Sequence, residues 1–267
     1  MKRRNCARNP ILSDYKISFN YGETPVSQGS EGSETAIIEF LCAPELEGKI
    51  PHPQKSIRAA PQWFKSLERE MDLPMQDGLP GLTAKACLPM TDAFSLGFML
   101  PLTLDVHLRI PEDRVSIQMG YDQEAPFVPI EQHHPGQLGA PNPPFHAAMP
   151  LKFINPWRIK VPEGYSVLIA PPLSRPDLPF TPFSGLVDCD RFDTTINIPF
   201  LWNGPVGDFT LPAGLPIAQL IPIRRDTLIK ESVARASTPE ELDAQKLAAT
   251  RKYGEESTYA REWRVKK

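Results

Sequence analysis

Apolar positions come in short bursts through the second half of the chain. Alternating or continuous runs at Tyr165–Ala170, Ile196–Phe200, Phe209–Leu211 and Ile217–Ile223 are separated by Pro/Gly turns roughly every ten residues, the rhythm of an antiparallel sandwich or barrel. An earlier run, Ala36–Cys42, predicts the first strand of the domain. The stretch Leu102–Ile110 alternates along its whole length. Leu102, Leu104, Val106, Leu108 and Ile110 fall on one face, and Thr103, Asp105, His107 and Arg109 on the other. That second face is either an ordinary solvated strand face or a pocket wall bearing a carboxylate, an imidazole and a guanidinium. Val115–Met119 returns as its hairpin partner.

Helical signals are few. Pro61 opens a short helix through Leu67, with Trp63, Phe64 and Leu67 spaced to anchor it on the sheet. Near the C-terminus, Ser237-Thr238-Pro239-Glu240-Glu241 is a helix start: hydroxyl cap, proline in the first turn, then acids. This helix should run past Leu247 and stop at Tyr253-Gly254, with a further turn over Thr258–Trp263. The predicted organisation is a polar N-terminal arm over 1–35, a single mainly β domain over 36–230 and a charged helical tail over 231–267.

Composition sharpens this reading. There are 31 prolines against 16 glycines, spread along the chain, which rules out long helices through the body. The net charge of −3 gives no global attraction to nucleic acid or an anionic membrane. Cys6, Cys42, Cys87 and Cys189 fit no metal or disulfide spacing, and no apolar run reaches membrane-spanning length. The expectation is a cytoplasmic protein, of the host cell or of a phage within it, without a membrane or nucleic-acid partner.

The most specific motif pair lies in the central stretch 157–225. Gly185-Leu-Val-Asp188, with Asp190 two residues on, is followed by Gly214 and then Ile217-Ala-Gln-Leu220. This pair resembles the third and fourth motifs of the dUTPase and dCTP deaminase family. The resemblance implies a β-clip, or distorted jelly-roll barrel, centred on 151–225, and assembly as a trimer. It implies that Asp188 is the catalytic acid, orienting a water and a deoxyribose, and that Gln219 approaches phosphate. The chain departs from the family pattern elsewhere. Arg191 replaces the aromatic sugar-discriminating residue, only Leu173-Ser-Arg-Pro176 stands for the phosphate segment, and the glycine-rich C-terminal motif is missing. The whole chain also resembles an uncharacterised family of tailed phages and bacteria, through Pro61–Lys65, Lys85–Ala93, the Gly164-Tyr-Ser-Val turn and the ending at Arg225.

Three functions follow. The first is a small-molecule-binding β-clip, its ligand nucleotide-like or another small polar molecule, with Trp157, Arg175, Asp188, Asp190, Arg191 and Gln219 about one pocket. The second is a non-catalytic structural or assembly homo-oligomer joined through its terminal arms. The third is a metal-dependent enzyme, in which His107 and one of His133 and His134 join an acid; Mg2+ or a transition metal would be the cofactor. His146, Glu131 and Asp122 belong to the same histidine-rich region. Whether there is turnover is left open.

Overall fold

The computed structural model describes residues 36–71, 81–122, 125–139, 149–254 and 259–265. The N-terminal arm and His146 lie outside the described residues.

Prolines and positive-φ glycines cut the chain into short strands. In order they are β1 (Glu39–Leu41), β2 (Gln54–Lys55), β3 (Phe98–Pro101), β4 (Val106–Ile110), β5 (Gln118–Gly120), β6 (Ile130–Gln132) and β7 (Leu151–Phe153). There follow β8 (Arg158–Lys160), β9 (Tyr165–Ala170), β10 (Phe180–Pro182), β11 (Gly185–Val187), β12 (Ile198–Trp202), β13 (Gly207–Leu211) and β14 (Pro216–Arg224). The protein is mainly β, as the turn spacing predicts, and its strand pairs are antiparallel.

The strands make four open sheets: β11-β9-β14-β3-β2, β10-β12-β7-β6, β13-β4-β5 and β1-β8. None closes on itself among the described residues. A single apolar core joins them, with Leu100 and Leu220 from the first, Phe153 and Phe200 from the second, Leu108 and Leu211 from the third and Ile159 from the fourth. Phe153 and Phe200 stack at 3.9 Å between centroids, and Phe180 meets both edge-on.

The alternation over 102–110 holds only in its second half. Val106, Leu108 and Ile110 are buried while His107 and Arg109 are exposed. Before that the pattern breaks: Phe98–Pro101 is a separate strand, and Thr103 is buried, against the expectation that it faces outward. Leu102 N–H bonds to Leu215 C=O and Gly214 N–H to Leu102 C=O, so this turn is set by the β14 entry rather than by its own periodicity.

Helix α1 (Gln62–Ser66) forms after Pro61, but it packs on a second helix and not on the sheet. That helix, α2 (Leu88–Ser95), gives no clear signal in the sequence: Pro89 lies in its first turn and Phe94 is its one buried side chain. Phe64 and Phe94, 4.5 Å apart, form a small core of their own with Ala60, while Trp63 stays 36% exposed. Gly97, at φ +67°, then lets the chain drop onto β14, where an added Cβ would come within 2.1 Å of the Leu220 carbonyl oxygen.

At the C-terminus the expected helix forms as α3 (Pro239–Gly254). Thr238 and Glu241 make a reciprocal cap, the Glu241 N–H donating to Thr238 Oγ1 (3.3 Å) and the Thr238 N–H to Glu241 Oε2 (2.8 Å). A π-helical turn follows at Tyr259–Trp263, and Arg264 pairs with Asp92 of α2 at 2.6 Å.

Candidate functional site

Asp188 and Gln219, the two residues singled out by the motif pair, stand at opposite ends of strand β9. Asp188 follows β11, and its Oδ1 accepts from Ser166 Oγ (2.6 Å) near the start of β9. Gln219 lies opposite Ala170, the last residue of β9, and opposite Met99 of β3. Four strand residues separate these levels, about 13 Å. The two side chains share no hollow.

Gln219 is 1% exposed and its amide is taken up by the protein. Its Oε1 accepts from Leu173 N–H (3.0 Å), and its Nε2 donates to Ala93 C=O (3.1 Å) and Leu96 C=O (2.6 Å). It locks the end of α2 and the loop after β9 onto the central sheet, which corrects the expectation that it approaches a ligand. Arg175 is likewise committed. Its side chain is buried, paired with Asp177 at 2.7 Å and donating to Ala59 C=O at 3.2 Å. Trp157 is a core residue, 2% exposed, with its indole N–H buried and unpartnered. A nearby buried amide, Asn155, donates to Trp157 C=O and accepts from Trp157 N–H, fixing the turn into β8.

The turn after β11 sends its side chains three ways. Asp188 C=O accepts from the N–H groups of Arg191 and Phe192, a tight reversal. Cys189 points into the core, and burial, helped by the flanking carboxylates, pushes its thiol up to about 11; it is no nucleophile. Asp190 turns inward, 3% exposed, and grips the Arg225 guanidinium at 3.0 and 2.5 Å while accepting the Gly164 N–H. The hydrogen bonds from Arg225 hold its carboxyl down at about 2. Arg225 also donates to Tyr165 C=O. The pair is therefore a clamp joining the ends of β9, β11 and β14. Arg191 is exposed. Asp188 alone among these acids faces out, its side chain 59% exposed. Of the clamp's partners, Ser166 falls within the predicted strand Tyr165–Ala170, while Gly164 and Arg225 only flank predicted strands, and no local pattern joins the three.

The histidine constellation does not assemble. His107 lies on the exposed face of β4 and bonds to Thr210. His133 and His134 follow β6, in another sheet. Burial, with Lys152 and His134 close by, lowers the pKa of His133, and His134 Nδ1 accepts from Gly136 N–H. No three His, Cys, Asp or Glu side chains are placed to hold a metal among the described residues. The metal set drawn from His107, His133, His134 and Asp188 is thereby corrected: these residues are spread over three sheets.

The structure opens a different site, a cleft of about 590 Å³ between β1 and β2. Phe40 and Phe98, edge to face at 5.5 Å, form one wall. His52, Lys55 and Arg58 stand on its rim, and no carboxylate is among the lining residues. The His52 ring lies 5.1 Å from that of Trp157, so the buried indole supports the rim from below. The sequence marks the 44–61 region only as irregular. Its basic residues are far apart from Phe40 and Phe98 along the chain, and strand pairing of β2 with β3 brings them together.

Comparison with known proteins is sparse. No family model matches the chain, and no curated protein matches it. Among solved structures, a mutant dUTPase from phage phi11 of S. aureus, described with a structural Mg(II) ion, aligns over 71% of this chain and 97% of its own, at 12% identity and a TM-score of 0.30. A likeness at that level carries no argument about this chain. Among the described residues no helix is long and apolar enough to cross a membrane.

Proposed function

We propose that the protein binds a small nucleotide-like anion in the cleft between β1 and β2. The observation that carries this reading is a basic rim of His52, Lys55 and Arg58 beside an aromatic wall of Phe40 and Phe98, with no acid in the lining. A phosphate oxygen is recognised by ammonium and guanidinium donors, and a planar base packs edge-on or offset against phenyl rings. The volume falls within the range of small-molecule clefts, about 300–1,000 Å³. Asp188, its Oδ1 held by Ser166 and 3.5 Å from the Arg225 guanidinium, keeps an exposed carboxylate at a place separate from this cleft.

Thermal denaturation with nucleoside mono- and triphosphates, with and without Mg2+, tests the proposal. A bound nucleotide at about 100 times its Kd should stabilise the fold by about 2.7 kcal/mol. Lys55→Ala/Arg58→Ala should abolish this shift without lowering the unliganded midpoint, since both side chains are exposed. No shift with any nucleotide would remove the reading.

A second reading, assembly as a homo-oligomer, is favoured by the segment leading into α3. Leu228 is 46% exposed, Ile229 94% and Val233 88%, although each is apolar. In an oligomer these side chains would be covered by a second copy. Sedimentation should then show a multimer, and Ile229→Asp/Val233→Asp should convert it to monomer; a monomeric parent protein at micromolar concentration ends this reading.

A further inference from the structure

The exposed face of the three-stranded sheet β13-β4-β5 is a second surface with chemical content, and its larger hollow meets the nucleotide cleft at Pro51. Strand register sets its side chains in rows. Thr210, His107 and Gly120 are opposite one another, and Asp208, Arg109 and Gln118 form the next row. Successive rows on one face are about 6.8 Å apart. Two hollows flank this grid and His107 lines both. One, of about 830 Å³, continues past His107 to Thr103, Asp105 and Tyr121. The other, of about 510 Å³, lies over Arg109, Gln118 and Asp208.

The chemistry of the grid restricts its ligand. Arg109 and Asp208 neutralise each other, the guanidinium Nε donating to Oδ1 at 2.7 Å and Nη2 to Oδ2 at 3.4 Å, so this row offers no net charge to an ion. β4 is the central strand, its backbone groups committed on both sides, so a peptide could add as a strand only at the outer edges of β13 or β5 and not over His107. The larger hollow adds Lys49, Asp105 and Asp122, charges of both signs, so the two hollows together present side-chain donors and acceptors of both kinds. Gly120 places no side chain beside His107, leaving the imidazole uncovered toward β5. Thr103 Oγ1 is buried in the wall of the larger hollow without a hydrogen-bond partner, a costly arrangement unless something reaches it. Tyr121 supplies an aromatic ring at the same end.

We infer that this face is a binding site for a neutral, hydroxyl-rich ligand of the saccharide class, seated across His107 with its hydroxyls shared among His107, Gln118 and the Arg109–Asp208 pair. A sugar has vicinal hydroxyls that both donate and accept, and an apolar C–H face suited to an aromatic ring.

Titration calorimetry of the full chain with maltotriose, cellotriose, mannotriose and tri-N-acetylchitotriose tests the inference. At least one should bind with a Kd below about 10 mM. His107→Ala and Gln118→Ala should each weaken that sugar about tenfold, with the melting midpoint unchanged because both side chains are exposed. His107→Gln should restore part of the binding. The Lys55→Ala/Arg58→Ala protein should bind the sugar as the parent does, which separates this site from the nucleotide cleft. Absence of binding by all four sugars, or binding that survives the His107→Ala/Gln118→Ala double change, overturns it.

Discussion

Replacing Gln219 with Leu is expected to cost about 3–4 kcal/mol of folding stability. The substitution keeps the volume and adds apolar surface, so a hydrophobic position would tolerate it. Here the amide satisfies three backbone groups: Leu173 N–H, Ala93 C=O and Leu96 C=O. Each buried polar group left without a partner costs about 1–3 kcal/mol. Ala93 C=O also accepts from Leu96 N–H, so its share is the smallest. Gln219→Glu should be worse still. A carboxylate cannot donate to two carbonyls, and burying it unpaired is penalised heavily. Urea unfolding gives the measurement. A loss under about 1 kcal/mol for Gln219→Leu would show that α2 and the loop after β9 are held some other way. Nucleotide-dependent stabilisation, measured where the variant is folded, should be unchanged, since Gln219 lines no part of the cleft.

Asp190→Asn should cost about 2–3 kcal/mol near neutral pH and almost nothing near pH 2. The Asp190 side chain is 3% exposed and its charge is matched by Arg225, whose side chain keeps 30% exposure and so escapes part of the usual penalty for a buried pair. The sign follows from the carboxyl lying at about 2 in the fold against its ordinary 3.8. A depressed acid binds protons more weakly folded than unfolded. Its stabilisation is complete above about pH 4 and is lost as pH falls through about 2. The gap between parent and variant should therefore close over that window. Arg225→Met should behave differently. It leaves Asp190 buried without its cation, so the carboxyl rises above its ordinary value and the variant gains stability, relative to the parent, as pH is lowered toward 4. A gap that stays constant from pH 7 to pH 2 would mean that the clamp's contribution is packing and not charge.

The resemblance at 185–220 located two real structural positions but misjudged what they share. Asp188 directly follows β11 and Gln219 sits in β14, and both strands neighbour β9, so a motif pair reads as one site. The length of β9 between them decides otherwise. Likewise Arg175 and Asp190, charged residues beside turns, have the look of ligand contacts, yet Arg175 is turned inward onto its neighbour Asp177 and the Ala59 carbonyl, and Asp190 onto Arg225. His107 and Arg109 kept their predicted outward face because their strand is flanked on both sides and alternation there is enforced by burial. Thr103, three residues before the regular strand begins, lost it.

By itself the sequence determined the mainly β character, the positions of β1, β4, β9, β12, β13 and β14 and the capped C-terminal helix. These depend on neighbours a few residues apart: alternation, turn prolines and a Thr–Glu cap. The tertiary structure alone decided that α2 is a helix, that Asp190 and Arg225 close a clamp, that the histidines are dispersed and that a basic cleft faces Phe40 and Phe98. Each of these is a meeting of residues far apart in the chain, fixed by which strand edges pair, and no local pattern carries that information.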